Sequence, residues 1–240
     1  MQSDVNVRLS GRPAQNIAAL PRVIDVCFQN QQIIRAFCGV ALDAKTVYSS
    51  YRVSVECLTV ALHERDAYTR FHCDRVVELA VELGRHFGLK TEVLNSLCIA
   101  ALFHDIGKIG VPDNVLLKPG RLTDEDWVFM KTHSALGEEL FMATGHACAR
   151  QVAPIIRHHH ESFDGCGYPD GLKSEEIPLP CRILLIADGY DAMTNSRPYH
   201  NARSHKTVMN TLESEVGTKL DPTVFLEFSR IIERSPARSQ

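Results

Sequence analysis

Leu102-Phe-His-Asp-Ile-Gly-Lys-Ile-Gly-Val-Pro112 runs an apolar segment into a histidine and an aspartate and then breaks on two glycines and a proline. An imidazole and a carboxylate therefore sit side by side where a helix must stop. Divalent ions accept such mixed nitrogen and oxygen ligands, and a carboxylate with two oxygens can bridge two of them. Lys108 follows three residues after Asp105, close enough to meet an anion bound at such a centre. A buried, hydrogen-bonded helix end would show the same dipeptide, so the pair needs companions elsewhere in the chain.

Companions recur in helical patterns on both sides. Upstream, Val76, Ala80, Leu83 and Phe87 repeat at three- and four-residue spacing, Gly88 stands where that helix would end, and His72 lies one turn before Val76 on the same face. Thr91 is placed to cap the next helix, whose Leu94, Leu97 and Ala101 lead into His104 and Asp105. Downstream, Gly107, Gly110, Pro112 and Pro119-Gly120 read as a turn-rich connection, and Thr123-Asp-Glu-Asp126 as a capping-box start. The helix that follows is expected to turn Trp127, Met130, His133, Gly137 and Leu140 inward. Val152, Ile155 and Ile156 precede His159 and His160 by one turn, and Leu184 precedes Asp188 by one turn in a buried run. Two closing helices are expected, one with Val208, Leu212 and Val216, the other opened by Asp221-Pro222 as N-cap and first residue. No stretch alternates in the strand manner, so the expected class is all-α.

Five predicted helices thus bring His72, His104 with Asp105, His133, His159 with His160, and Asp188 to inward faces. One such residue is an ordinary hydrogen-bonded core group. Five imidazoles and two carboxylates together would carry a desolvation penalty with nothing to offset it. Seven ligands exceed the needs of one ion and suit two ions sharing a carboxylate. Histidine and carboxylate without thiolate favour iron or manganese over structural zinc. Two such ions would make a hydroxide nucleophile and clamp a phosphoryl centre, which is phosphoester hydrolysis. His63, His86, His146 and His205 are expected at the surface or at caps, and His158 is left open by the uncertain register of three consecutive histidines.

Composition narrows the rest. With 26 Lys+Arg against 29 Asp+Glu and a formal charge of -3, extended nucleic acid is an unsuitable partner. The 8 cysteines form no C-x-x-C pair, which speaks against a zinc ribbon or a thioredoxin-type site. No signal-peptide pattern and no window resembling a membrane span is found, so a cytoplasmic protein is expected. Residues 1–57 carry no recognisable chemistry and read as a small helical region of sensory, packing or homodimer role; residues 58–240 read as the catalytic domain.

The ordered stretches Arg65-Asp-Ala-Tyr-Thr-Arg-Phe-His72, His104-Asp-Ile-Gly-Lys108, Lys118-Pro-Gly120, His133-Ser-Ala-Leu-Gly137, His159-His-Glu-Ser-Phe-Asp-Gly-Cys-Gly-Tyr-Pro169 and Ala187-Asp188 through Arg197-Pro-Tyr199 closely resemble the HD-GYP branch of the HD phosphohydrolase superfamily, over about residues 58 to 230. The resemblance implies an HD-domain helical bundle with a C-terminal HD-GYP extension, acting as a cyclic di-GMP phosphodiesterase. It implies that His72, His104, Asp105 and Asp188 hold one metal and that Asp105 bridges to a second held by His133, His159 and His160. It also implies that Asp105 and Lys108 serve catalysis, that Lys108 and Arg197 meet the substrate phosphates, and that Gly167, Tyr168 and Tyr199 shape the substrate pocket. Tyr68 stands where members with a third metal have glutamate, so two ions are expected; His200 replaces a basic residue found in many members. Two rival readings follow from the same resemblance. One is a non-hydrolytic receptor or adaptor for a diguanylate-cyclase domain, and the other is a phosphodiesterase for cyclic GMP-AMP.

Overall fold

The computed structural model describes residues 69–195 and 202–238. The domain boundary expected near residue 58 lies outside these residues. So do residues 1–57, His63, Tyr68, Arg197, Tyr199 and His200. Among the described residues the order is α1 (Thr69–His86), α2 (Thr91–Phe103), a 3₁₀ turn (Ile106–Gly110), α3 (Asp113–Leu116), α4 (Asp124–Ala143), α5 (Ala149–His158), a second 3₁₀ turn (Ser174–Glu176), α6 (Leu179–Thr194), α7 (His205–Ser214) and α8 (Pro222–Ile232). No strand occurs among them beyond an isolated bridge between Val216 and Leu220, so the all-α expectation holds.

Local chemistry accounts for the helix ends. Gly88, at φ +67°, closes α1: its N–H reaches the Arg85 carbonyl and the Leu89 N–H reaches that of Gly84, the paired bonds of a left-handed terminus. At α4 the capping box is present, Thr123 accepting from the Asp126 N–H while Asp126 accepts from the Thr123 N–H. Asp221 caps α8 by accepting from Thr223 and Val224. Thr91 does not cap α2. It is the first helical residue and Lys90 holds the cap position without a side-chain bond.

The core lies between α1, α2, α5 and α6. α1 packs on α2 and α6, α2 on α5 and α6, while α4 covers α5 and α8 leans on α1 and α6. From Leu97 onward α2 is apolar on every side, with Leu97, Cys98, Ala100, Ala101 and Phe103 buried, which is the pattern of a helix surrounded by others. Its extension Thr91–Gly110 is apolar enough by composition to cross a membrane, contrary to the expectation that no window comes near; most of it is buried inside the bundle. Cys73, Cys98 and Cys181 are buried thiols, as expected of cysteines in apolar segments.

Two expectations about faces fail. The first two turns of α4 run beyond the core, so Trp127 is 43% exposed and the buried residues of that helix are His133, Ser134, Gly137 and Phe141. α7 ends at Ser214, leaving Val216 in the turn after it.

One close crossing positions the site. A Cβ on Gly107 would lie 1.8 Å from the His133 carbonyl oxygen and 2.5 Å from the Gly137 nitrogen, and a Cβ on Gly137 would lie 2.8 Å from Ile156 Cγ2. The 3₁₀ turn after Asp105 therefore rests directly on the backbone of α4 beside His133. Gly107→Ala is expected to lower unfolding free energy by about 3 kcal/mol or more, since backbone cannot yield as a side chain does. Gly110→Ala, whose Cβ would meet only the flexible Leu136 side chain, with Cδ1 at 2.9 Å, should cost under about 1 kcal/mol. Denaturant unfolding of both variants checks the difference.

Candidate metal centre

The helices deliver their polar residues to one place. His72 comes from the body of α1, His104 from the end of α2, His133 from the middle of α4, His159 and His160 from the end of α5, and Asp188 from the middle of α6. His72, His104, Asp105, His133 and His159 are buried, and Asp188 and His160 are partly covered.

Four of the rings are oriented by the same device. Nδ1 lies 2.8 Å from the Ala101 carbonyl in His104, 2.7 Å from that of Met130 in His133, and 2.6 Å from that of Ile156 in His159. In His72 it lies 2.7 Å from Asp191 Oδ2. His72 Nε2 lies 3.1 Å from Asp188 Oδ1, whereas in the three carbonyl-bonded rings the proton on Nδ1 leaves Nε2 as a lone pair. Those lone pairs face one another. His133 Nε2 and His159 Nε2 are 3.4 Å apart, and His104 Nε2 is buried with no hydrogen-bond partner. Two facing lone pairs repel unless a cation shares them, so the residues present fit a bound metal.

The donors form two groups, each with ligand atoms within 4.8 Å of one another: His72, His104 and Asp188 in the first, His133, His159 and His160 in the second. Asp105 straddles them. Its Oδ2 is 3.5 Å from His104 Nε2 and its Oδ1 is 3.5 Å from His133 Nε2. The arrangement brings together all seven residues expected as ligands and could hold two ions about a shared carboxylate.

Electrostatics follow the same division. Burial disfavours the Asp105 anion, but Lys108, His104 and His133 outweigh it and hold its pKa well below the carboxylate range. Asp188 is likewise depressed against burial, chiefly by its bond to His72. Burial lowers His133, His159 and His160, the last to about 3, so the second group stays neutral and ready to donate. Burial also lowers His72, yet its bonds to Asp188 and Asp191 outweigh that and push it up to about 9.

Around the donors, Lys108 Nζ sits 2.6 Å from Asp105 Oδ2. The Tyr168 ring lies 4.8 Å from that of His160, with the Lys131 ammonium 5.6 Å above it. Gly167 packs so closely that a Cβ would fall 2.1 Å from the Ser162 nitrogen, which lets the loop fold back over His160. His158 turns away to Asp170 at 2.8 Å, outside both groups. His86 pairs with Glu227 and His146 lies beside Cys148, away from the centre. His205, expected at the surface or at a cap, is buried, with Nδ1 2.8 Å from the Tyr190 hydroxyl and Nε2 2.9 Å from Glu233 Oε1.

Two carboxylates went unrecognised in the sequence. Asp191 backs His72, and its spacing of three from Asp188 on a helix was a readable signal. Glu161 is 1% exposed and accepts the backbone N–H groups of Asp170, Gly171 and Leu172 at 2.7, 3.1 and 3.1 Å, tying down the glycine-rich loop. Three consecutive loop donors leave no mark in the sequence.

Comparison with known proteins identifies the family. The family model for the HD domain matches residues 56–224. The chain is 36% identical over 187 residues to a cyclic di-GMP phosphodiesterase of Thermotoga maritima, covering 78% of this chain and 51% of that protein. It is 38% identical over 171 residues to the cyclic di-GMP phosphodiesterase response regulator RpfG of Xanthomonas campestris, covering 71% and 45%. A 3'3'-cGAMP-specific phosphodiesterase of Vibrio cholerae is 37% identical over 163 residues, covering 67% and 37%. The chain spans about half the length or less of these curated relatives. Among solved structures, the HDG"Y"P protein Bd1817 of Bdellovibrio bacteriovorus superposes with a TM-score of 0.62 at 16% identity, covering 92% of this chain and 75% of that one, which bears on fold.

Replacing Glu161 by Gln removes one charged oxygen from three backbone donors. The variant is expected to lose about 1–3 kcal/mol of stability and to open residues 162–173 to proteolysis. Metal bound at the two donor groups should stay at the wild-type level, because Glu161 belongs to neither of them. Denaturant unfolding, limited proteolysis and metal analysis check the three outcomes.

Proposed function

Because the chain belongs to the HD domain family and carries the motif set of its HD-GYP branch, we propose that it is a metal-dependent phosphodiesterase that hydrolyses cyclic di-GMP to linear pGpG, from which a second turnover could give GMP. The carrying observation is the inward convergence of histidine lone pairs on two groups joined by Asp105. His72, His104, Asp105 and Asp188 would hold one ion; His133, His159 and His160, with Asp105, would hold the other. When bound, two divalent ions, iron or manganese by the nitrogen and oxygen donor set, would supply Lewis acidity toward the phosphodiester and activate water.

The chain's own residues complete the site. Lys108 keeps a cationic head beside Asp105 with its side chain 18% exposed, so it can meet a phosphate oxygen as charge develops there. Tyr168 walls the second group and offers a ring face to a purine. Gly167 lets the loop backbone approach. Arg197 and Tyr199, outside the described residues, are assigned to the phosphates and the pocket wall. The complete donor set favours hydrolysis over a receptor role, and a cytoplasmic site of action suits a nucleotide second messenger.

A second substrate is favoured by one observation, the likeness to Vibrio cholerae proteins named 3'3'-cGAMP-specific phosphodiesterases. A few hydrogen bonds to the base decide such selectivity.

The test is incubation of metal-replete protein with cyclic di-GMP and with 3'3'-cGAMP, separately and in competition, with products resolved by chromatography. Linear pGpG is expected; His104→Ala should abolish turnover, and Lys108→Met should lower kcat by about 10²–10³. Absence of turnover of either dinucleotide with iron and with manganese would refute the assignment.

A further inference from the structure

Asp191 differs in kind from the other groups that orient the histidines. His104, His133 and His159 give their Nδ1 protons to neutral carbonyls of their own helices. His72 gives its proton to a carboxylate on another helix, 119 positions away in sequence. That carboxylate is 2% exposed. Its cost of burial is met by a complete set of donors: Arg75 Nε lies 2.6 Å from Oδ1, Arg75 Nη2 3.0 Å from Oδ2, and Asn195 Nδ2 3.0 Å from Oδ1. With His72 on Oδ2, both oxygens are engaged and none is directed to solvent or substrate. Arg75 also comes from α1, one turn after His72, so a single carboxylate of α6 clamps two residues of α1.

This inference rests on the two-ion reading above. We propose that Asp191 is a positioning residue that fixes His72 as the Nδ1–H tautomer, and that the charge it places behind the ring makes the His72–His104–Asp188 position the tighter of the two metal positions. Any acceptor behind a ligating imidazole raises its donor strength, and an ionised carboxylate does so more than a neutral carbonyl because its hydrogen bond is charge-assisted. The other position has three imidazoles and no such backing. Loading is therefore sequential, the backed position first.

The experiment is titration of the metal-free full chain with cobalt(II) under anaerobic conditions, following visible absorption together with bound metal per chain. The wild-type protein should bind two ions in separable steps. Asp191→Asn should weaken the tighter step by about 10–100-fold, the usual effect of losing an outer partner of a ligand, and leave the weaker step unchanged. Equal weakening of both steps, or no change in either, overturns the proposal and leaves the two-ion reading standing. A wild-type protein that binds no cobalt overturns both. Should Asp191→Asn not fold, the wild-type protein loaded with diamagnetic zinc(II) decides by NMR of the histidine nitrogens. His72 should carry its proton on Nδ1, at a resonance further downfield than those of His104, His133 and His159. A His72 protonated on Nε2, or an Nδ1 proton among the other three, overturns the proposal.

Discussion

Everything in this bundle that is unusual for a helical core traces to the bonds that hold the histidine Nδ1 atoms. Each is small, about 1 kcal/mol net for the three to carbonyls and about 1.5–3 kcal/mol for the one to Asp191. Together they compel the Nε2 atoms to point at one another across a space where His133 and His159 approach to 3.4 Å. A core of leucines would be more stable there. The sequence instead accepts mutually repelling lone pairs beside a buried and a partly covered carboxylate, an arrangement that positive charge in its middle stabilises. Lys108, seated on Asp105, supplies part of that charge from the rim.

The scaffold is built to keep these groups at fixed distances. Three of the rings sit at or within one turn of a carbonyl of their own helix, so ring position follows helix position. The helices are fixed in turn by close backbone contact. At Gly107 and Gly137 the 3₁₀ turn, α4 and α5 meet with no room for a methyl group, and this sets Asp105 between the two donor groups. Glu161 does the corresponding service for the loop that carries Gly167 and Tyr168. Rigid elements of this kind are what a site with sub-ångström demands requires.

Much of this was legible in the amino-acid order. A histidine one helical turn from Val76, or just after Ile155 and Ile156, shares the buried face, so periodicity marked the seven inward residues but left the register of His158 to His160 open. What escaped did so for physical reasons. Trp127 keeps the right spacing, but α4 extends past its neighbours, and periodicity does not reveal where a packing partner ends. His205 is buried because Tyr190 and Glu233 come to meet it, 15 and 28 positions away in sequence. Asp191 stood at a readable spacing, yet its meaning depends on Arg75 and His72, which only the fold brings alongside. The requirement for glycine at 107 arises from a crossing with α4 that no local pattern encodes.

The most direct test of the central claim is location of the ions themselves. Crystals of the protein prepared without oxygen, measured at the iron and manganese absorption edges, should give two anomalous peaks per chain. One is expected among His72, His104 and Asp188 and the other among His133, His159 and His160, with Asp105 touching both. A map without anomalous density at this centre, with the imidazoles hydrogen-bonded to one another or to water, would contradict the account.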